Sequence, residues 1–150
     1  MESSRERCPM KEVVTTELEV RWGECDPAGI VYHPSYIDWF SVARMRFLYE
    51  NDVPYMTMFH DNGVVLVVLE VQCRYVKTLR PEQRIAVTAR VRRLSRTRMG
   101  LDYEVRDDKG DLCASGLTEH AFVDLDNRPV NVAKRSPALW RRLQQVPVHE

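Results

Sequence analysis

The chain lacks an excess of charge of either sign: Lys and Arg total 22, and so do Asp and Glu. The overall balance therefore gives no reason to expect nucleic acid as a partner. No apolar run approaches the ~18 residues of a membrane-spanning helix. The N-terminus, MESSRERCPMKEVV, has no apolar signal-peptide core. A cytoplasmic protein without membrane contact is the expectation. The four cysteines, Cys8, Cys25, Cys73 and Cys113, stand far apart with no C-x-x-C pair. They read as reduced thiols, not as a disulfide framework or a zinc site. His33, His60, His120 and His149 show no ligand spacing either, so no metal is expected. Also missing are the G-x-S-x-G nucleophile elbow, the G-x-x-x-x-G-K-[ST] phosphate loop and the G-x-G-x-x-G fingerprint. An enzyme without them has to work with a carboxylate and backbone dipoles.

What is present fits one domain: 150 residues, 44% hydrophobic and 29% charged. Residues 1–12 are polar and expected to be loose; residues 13–150 are expected to form a single domain. The β-branched run 13–22 predicts a strand. Pro34 suits the first turn of a helix that continues to about Asn51. Apolar residues there point in nearly every direction of the helical wheel, which predicts a helix enclosed by protein all round. Residues 53–63 read as a short helical or irregular link. The near-continuous apolar run 64–76 predicts a strand buried on both faces.

Further on, Ile85, Val87, Ala89 and Val91 alternate on one face until Arg92-Arg93, where a bulge or strand end is expected. Met99, Leu101, Tyr103 and Val105 alternate likewise. Asp108-Lys109-Gly110-Asp111 reads as a hairpin turn, 112–125 as the last strand, and 136–146 as a helix capped by Ser136 with Pro137 first. The sum is an α+β protein, with helices on one antiparallel sheet.

The stretch GECDPAGIVYHPSYIDWF, 23–40, concentrates the chemistry. Asp26 is read either as a turn former or as a working carboxylate beside an apolar cavity. It stands about eight residues before Pro34, too far to cap a helix beginning there. The first N–H groups of that helix are unpaired and carry the positive end of its dipole. Because Pro34 has no N–H, the backbone N–H of His33 or of Ser35 is the candidate donor to an oxyanion. Cys25 reads as a packing thiol, Glu24 as exposed, Tyr36 and Trp39 as core or else as lining of an acyl pocket, and Glu70 and His120 as satisfied polar core.

GECDPAGIVYHPSY closely resembles the active-site segment of the 4-hydroxybenzoyl-CoA thioesterase family, whose fold is the hot dog. The resemblance implies a long central helix wrapped by a curved antiparallel sheet of about five strands. It implies an acyl-CoA thioesterase in which Asp26 is the catalytic nucleophile or general base. His33 would polarise the carbonyl through its backbone N–H, with its side chain as a further hydrogen-bond or proton-transfer group. The run joins DPAGIV of the aryl-CoA branch to the YH of the short-chain branch, so aryl and short- to medium-chain acyl groups are both expected. Where the hydratase branch has histidine, five residues after the aspartate, this chain has Val31.

Substrate contacts are expected from Tyr32 and from the Arg90–Arg98 region, where Ser95, Arg96, Thr97 and Arg98 would meet the CoA phosphates. A solvated strand end is the plain alternative for these arginines. No cofactor is implied, since CoA belongs to substrate and product. The family implies a homo-oligomer, dimer or tetramer, with sites at the subunit interface. The alternatives are a thioesterase acting on acyl-carrier-protein thioesters and a non-catalytic acyl- or carrier-binding module.

Overall fold

In the computed structural model, which describes residues 10–149, the alternating residues of 84–105 become the centre of a five-stranded antiparallel sheet. Its strands are β1 (Val14–Glu19), β2 (Val65–Tyr75), β3 (Arg84–Leu94), β4 (Arg98–Asp107) and β5 (Leu112–Val123). Their spatial order is β1-β3-β4-β5-β2. Ile85, Val87, Ala89 and Val91 are buried on the inner face, as are Met99, Leu101, Tyr103 and Val105. The β3–β4 register shifts between Val91 and Arg93, so the slip in the alternation is a bulge.

The long helix α1 (His33–Glu50) crosses the inner face and packs mainly on β1 and β3. Phe40 stacks on Tyr103 with ring centroids 4.5 Å apart. The approach is close enough that a Cβ on Gly116 of β5 would collide with the Phe40 ring and the Gln72 carbonyl. Two short helices, α2 (Val132–Arg135) and α3 (Pro137–Gln145), close the C-terminal end. Ser136 Oγ accepts the Leu139 N–H at the start of α3, as its sequence predicts. Of the segment 1–12, residues 1–9 lie outside the described residues, and Lys11 donates its N–H to Asn51 Oδ1 at 2.7 Å. No helix among the described residues is long and apolar enough to cross a membrane.

Four expectations are corrected. The first strand ends at Glu19, and Trp22–Glu24 form a 3-10 turn, because the Glu24 carboxylate accepts the Arg21 N–H and curls the chain. The helix is not enclosed all round within one chain, since Val42 and Tyr49 are exposed together with Asp38 and Arg46. The apolar run 65–75 is not a central strand: β2 is an edge, with Val68 and Leu69 each 49% exposed. An apolar pattern reports that a surface needs cover, not whether its own chain provides it. Glu70, read as polar core, sits exposed on this edge and accepts from Gln72 Nε2 at 2.6 Å.

Candidate active site

Between β1 and α1 the chain makes a tight loop. Pro27 and Gly29 impose its shape, and Gly29 has φ +75°, a conformation that favours glycine. Asp26 shapes the loop with both its backbone and its side chain. Its N–H donates to the Ile30 carbonyl at 2.9 Å, its carbonyl accepts from Gly29 at 3.0 Å, and Oδ1 accepts the Ala28 N–H at 2.9 Å. The Val31 N–H then donates to the Leu79 carbonyl at 2.9 Å, fixing the loop to the chain ahead of β3. Asp26 is therefore a turn former, and it also lines a cleft.

That cleft, of about 360 Å³, is bounded by Asp26, Tyr32, His33, Tyr36, Tyr75 and Lys77. The carboxylate loop and the start of α1 face one space. Of the two candidate donors, the Ser35 N–H is occupied by the Tyr32 carbonyl at 2.9 Å, whereas no backbone carbonyl among the described residues meets the His33 N–H. The His33 carbonyl accepts from Tyr75 Oη at 3.0 Å, and the His33 ring stands edge-on to Tyr32. Burial pushes the phenols of Tyr36 and Tyr75 up to about 12, so both are neutral hydrogen-bonding walls. Burial first, then the neighbouring Glu24 and Asp26 charges, raise the pKa of Cys25; it stays a thiol.

Glu24 is the site residue that sequence reasoning placed wrongly. It is 9% exposed, and it ties the loop to α1. One carboxylate oxygen accepts Trp39 Nε1 at 2.6 Å and the other accepts the Arg21 N–H at 2.8 Å. Its carbonyl accepts both the Tyr32 N–H at 2.8 Å and Ser35 Oγ at 2.9 Å. Burial opposes its ionisation, but the bonds from Arg21 and Trp39 outweigh it and hold its pKa below the ordinary value.

Glu24→Ala strands these buried donors at a cost of about 1–3 kcal/mol, or roughly 3–10 °C in Tm for a chain this size. The carboxylate's stabilisation is present above the ordinary glutamate range and is lost as pH falls through the lowered folded value. The gap in Tm between wild type and Glu24→Ala is therefore expected to close in acid. Thermal melts across pH, with kinetics at neutral pH, test this. A falling kcat at steady KM supports a positioning role, and an unchanged kcat rejects it.

Two further wall residues were missed. Lys77 donates to Asp107 at 2.8 Å and to Asp111 at 3.1 Å, and these bonds raise its pKa while lowering that of Asp107. Tyr75 ends an apolar strand, and its polar tip was the available signal.

The arginine turn lies elsewhere. Ser95 Oγ accepts the Arg98 N–H at 3.0 Å and the Thr97 N–H at 3.3 Å, so Ser95 builds the β3–β4 turn. The Arg96 carbonyl accepts the Val132 N–H at 2.8 Å. Arg98 begins β4, whereas Asp107, the partner of Lys77, ends it. Nine strand residues put the two ends roughly 30 Å apart. One chain brings Asp26, Tyr32 and His33 together and leaves Ser95, Arg96, Thr97 and Arg98 at the opposite end of the sheet. A larger hollow of about 650 Å³, lined by Arg74, Arg90, Asp102 and Glu104, shares no lining residue with the Asp26 cleft.

A long helix wrapped by five antiparallel strands, with a carboxylate loop opposite the helix start, defines a hot-dog thioester hydrolase. Residues 20–147 match the model of the Thioesterase-like superfamily, and the chain belongs to that family. It is 28% identical over 109 residues to 1,4-dihydroxy-2-naphthoyl-CoA hydrolase of Thermosynechococcus vestitus, covering 73% of this chain and 75% of that one. The DHNA-CoA thioesterase structure from Staphylococcus aureus superposes with a TM-score of 0.84 at 28% identity, covering 89% of each chain. A shorter match, 33% identical over 45 residues, is to 4-hydroxybenzoyl-CoA thioesterase of Pseudomonas sp., covering 30% of this chain and 32% of that one.

Proposed function

We propose that this protein hydrolyses acyl-CoA thioesters, with Asp26 as the reacting carboxylate and the His33 N–H as the oxyanion donor. The observation that carries this is the shared cleft: Asp26 and the unpaired first N–H of α1 line the same space. As the tetrahedral intermediate forms, negative charge grows on the carbonyl oxygen, where the N–H and the helix dipole stabilise it. Asp26 attacks the carbonyl carbon, giving a mixed anhydride that water resolves, or takes the proton from an attacking water. Either way the C–S bond breaks and CoA leaves as the thiol. The naming of the T. vestitus and S. aureus relatives favours an aryl acyl group. Tyr32, Tyr36 and Tyr75 give the cleft an aromatic lining suited to one.

The distant arginine turn acquires a role if two chains pair through the exposed β2 edge. Antiparallel pairing about a two-fold axis sets the Tyr75 end of one β2 beside the Val65 end of the other. The partner's β3–β4 turn then lies on the same side as this chain's Asp26, roughly 15 Å away across three strand spacings. Arg96 and Arg98 of one subunit would thus hold the CoA phosphates of the other's substrate, and the functional unit is a homo-oligomer.

The test is thiol release from benzoyl, phenylacetyl and short to medium aliphatic CoA esters. Arg96→Ala with Arg98→Ala is expected to raise KM roughly tenfold or more on CoA esters. Little change is expected on the matching pantetheine esters. Equal effects on both carriers would remove the phosphate role.

A further inference from the structure

In the middle of α1, a cation is buried without an anion. Arg44 is 8% exposed, and its guanidinium meets only hydroxyls: Nη1 donates to Tyr103 Oη at 3.1 Å and Nη2 to Ser41 Oγ at 3.3 Å. Its Nε is buried and has no partner. Among the described residues no carboxylate forms an ion pair with it, although ion pairs occur elsewhere on the chain.

The network beyond Arg44 is also uncharged. Tyr103 Oη and Thr118 Oγ1 lie 2.6 Å apart, and His120 Nε2 lies 2.8 Å from Thr118 Oγ1. Burial, seconded by the Arg44 charge, lowers the His120 pKa to about 4, so this ring is neutral. Burial likewise keeps the Tyr103 phenol protonated. A desolvated guanidinium bonded only to neutral groups is costly, and a carboxylate is its natural complement, because two parallel N–H···O bonds match the fork.

Position says where the carboxylate would come from. Thr118 pairs with Val71 on the open edge strand, four residues from Tyr75 in the cleft wall, or roughly 13 Å along the strand. Along the helix, Arg44 lies eleven residues past His33, roughly 16 Å. Ser41 is only half-buried, so the Nη2 side of the guanidinium is the approachable one. Because Nη2 reaches back to Ser41, eight residues past His33, the guanidinium lies roughly 12 Å from the helix start, and an extended chain of roughly ten carbons, about 12 Å long, spans that gap.

We propose that Arg44 anchors a carboxylate at the far end of the acyl group, so that the preferred substrates are CoA thioesters of acids carrying a second, distal carboxylate. This rests on the acyl-CoA hydrolysis proposed above and adds the acyl class to it.

Length-matched decanoyl-CoA and sebacoyl-CoA, the latter ending in a carboxylate, are compared by kcat/KM in wild type, Arg44→Met and Ser41→Asp. The Ser41→Asp protein supplies an internal carboxylate at a position already within reach of Nη2. It is expected to melt at a higher temperature, which keeps the test independent of any misfolding of Arg44→Met. Wild type should favour sebacoyl-CoA by about tenfold or more. Both variants should bring that ratio to one or below. A wild-type ratio near one, a preference that survives in Ser41→Asp, or a parallel fall on both esters with dissociation of the oligomer would each overturn the proposal. Hydrolysis of decanoyl-CoA without the preference sinks this inference alone. Failure on both esters while benzoyl-CoA is hydrolysed also sinks this inference alone, and failure on all three overturns the thioesterase reading with it.

Discussion

In Asp26→Asn, kcat for acyl-CoA hydrolysis is expected to fall by about a thousandfold or more, with Tm within a few degrees of wild type. The two outcomes separate because the side chain does two things. Its turn-forming bond, from the Ala28 N–H to Oδ1, needs only an acceptor, and the Asn amide oxygen supplies one. The reaction needs a charged oxygen, either to attack the carbonyl carbon or to take a proton from water, and an amide does neither. General-base assistance alone is worth about 10²–10⁴ in rate. Thiol-release kinetics beside a thermal melt measure both effects on one sample. Near-wild-type turnover across an ester panel would mean that Asp26 only shapes the loop.

The second large effect is expected from the sheet edge. Val68 is 49% exposed on β2, and Leu69 next to it falls where the β2–β5 register shifts. A lysine at position 68 puts a charge on the apolar surface that edge-to-edge pairing would cover, a device that blocks such pairing. Val68→Lys is expected to be a folded monomer by light scattering and circular dichroism. Its kcat/KM should fall about a hundredfold if, as proposed, the arginine turn that holds the CoA phosphates comes from the other subunit. The loss should be much smaller with pantetheine esters, which carry no nucleotide phosphates. A fully active monomer would refute the shared site. A variant that still assembles would place the interface elsewhere.

Much of the architecture was legible because its signals are local. The alternation in β3 and β4, the bulge after Val91, the proline-led start of α1, and the Ser136 cap all depend on residues within one or two turns of each other. The Asp26–Gly29 turn was legible for the same reason. The reading of Glu24 failed because nothing beside it announces burial. Its main partner, Trp39 Nε1, is fifteen residues away and arrives only when α1 docks. Ser35 and His33 were indistinguishable as donors until the fold placed the Tyr32 carbonyl on the Ser35 N–H. The arginine turn was expected to meet the CoA phosphates, yet within one chain strand length carries it to the far end of the sheet from Asp26.

By itself the sequence determined where strands and helices form, where the carboxylate loop lies, and which faces are apolar. These follow from steric limits on φ and ψ and from side-chain periodicity between near neighbours. Only the tertiary structure decided that β2 is an edge, that Glu24 staples the loop, and that Arg44 sits in the core facing Tyr103, fifty-nine residues away, with no counter-charge among the described residues. Such outcomes depend on which distant surfaces exclude water from one another. That is a property of the packed chain, and no short stretch of it records the result.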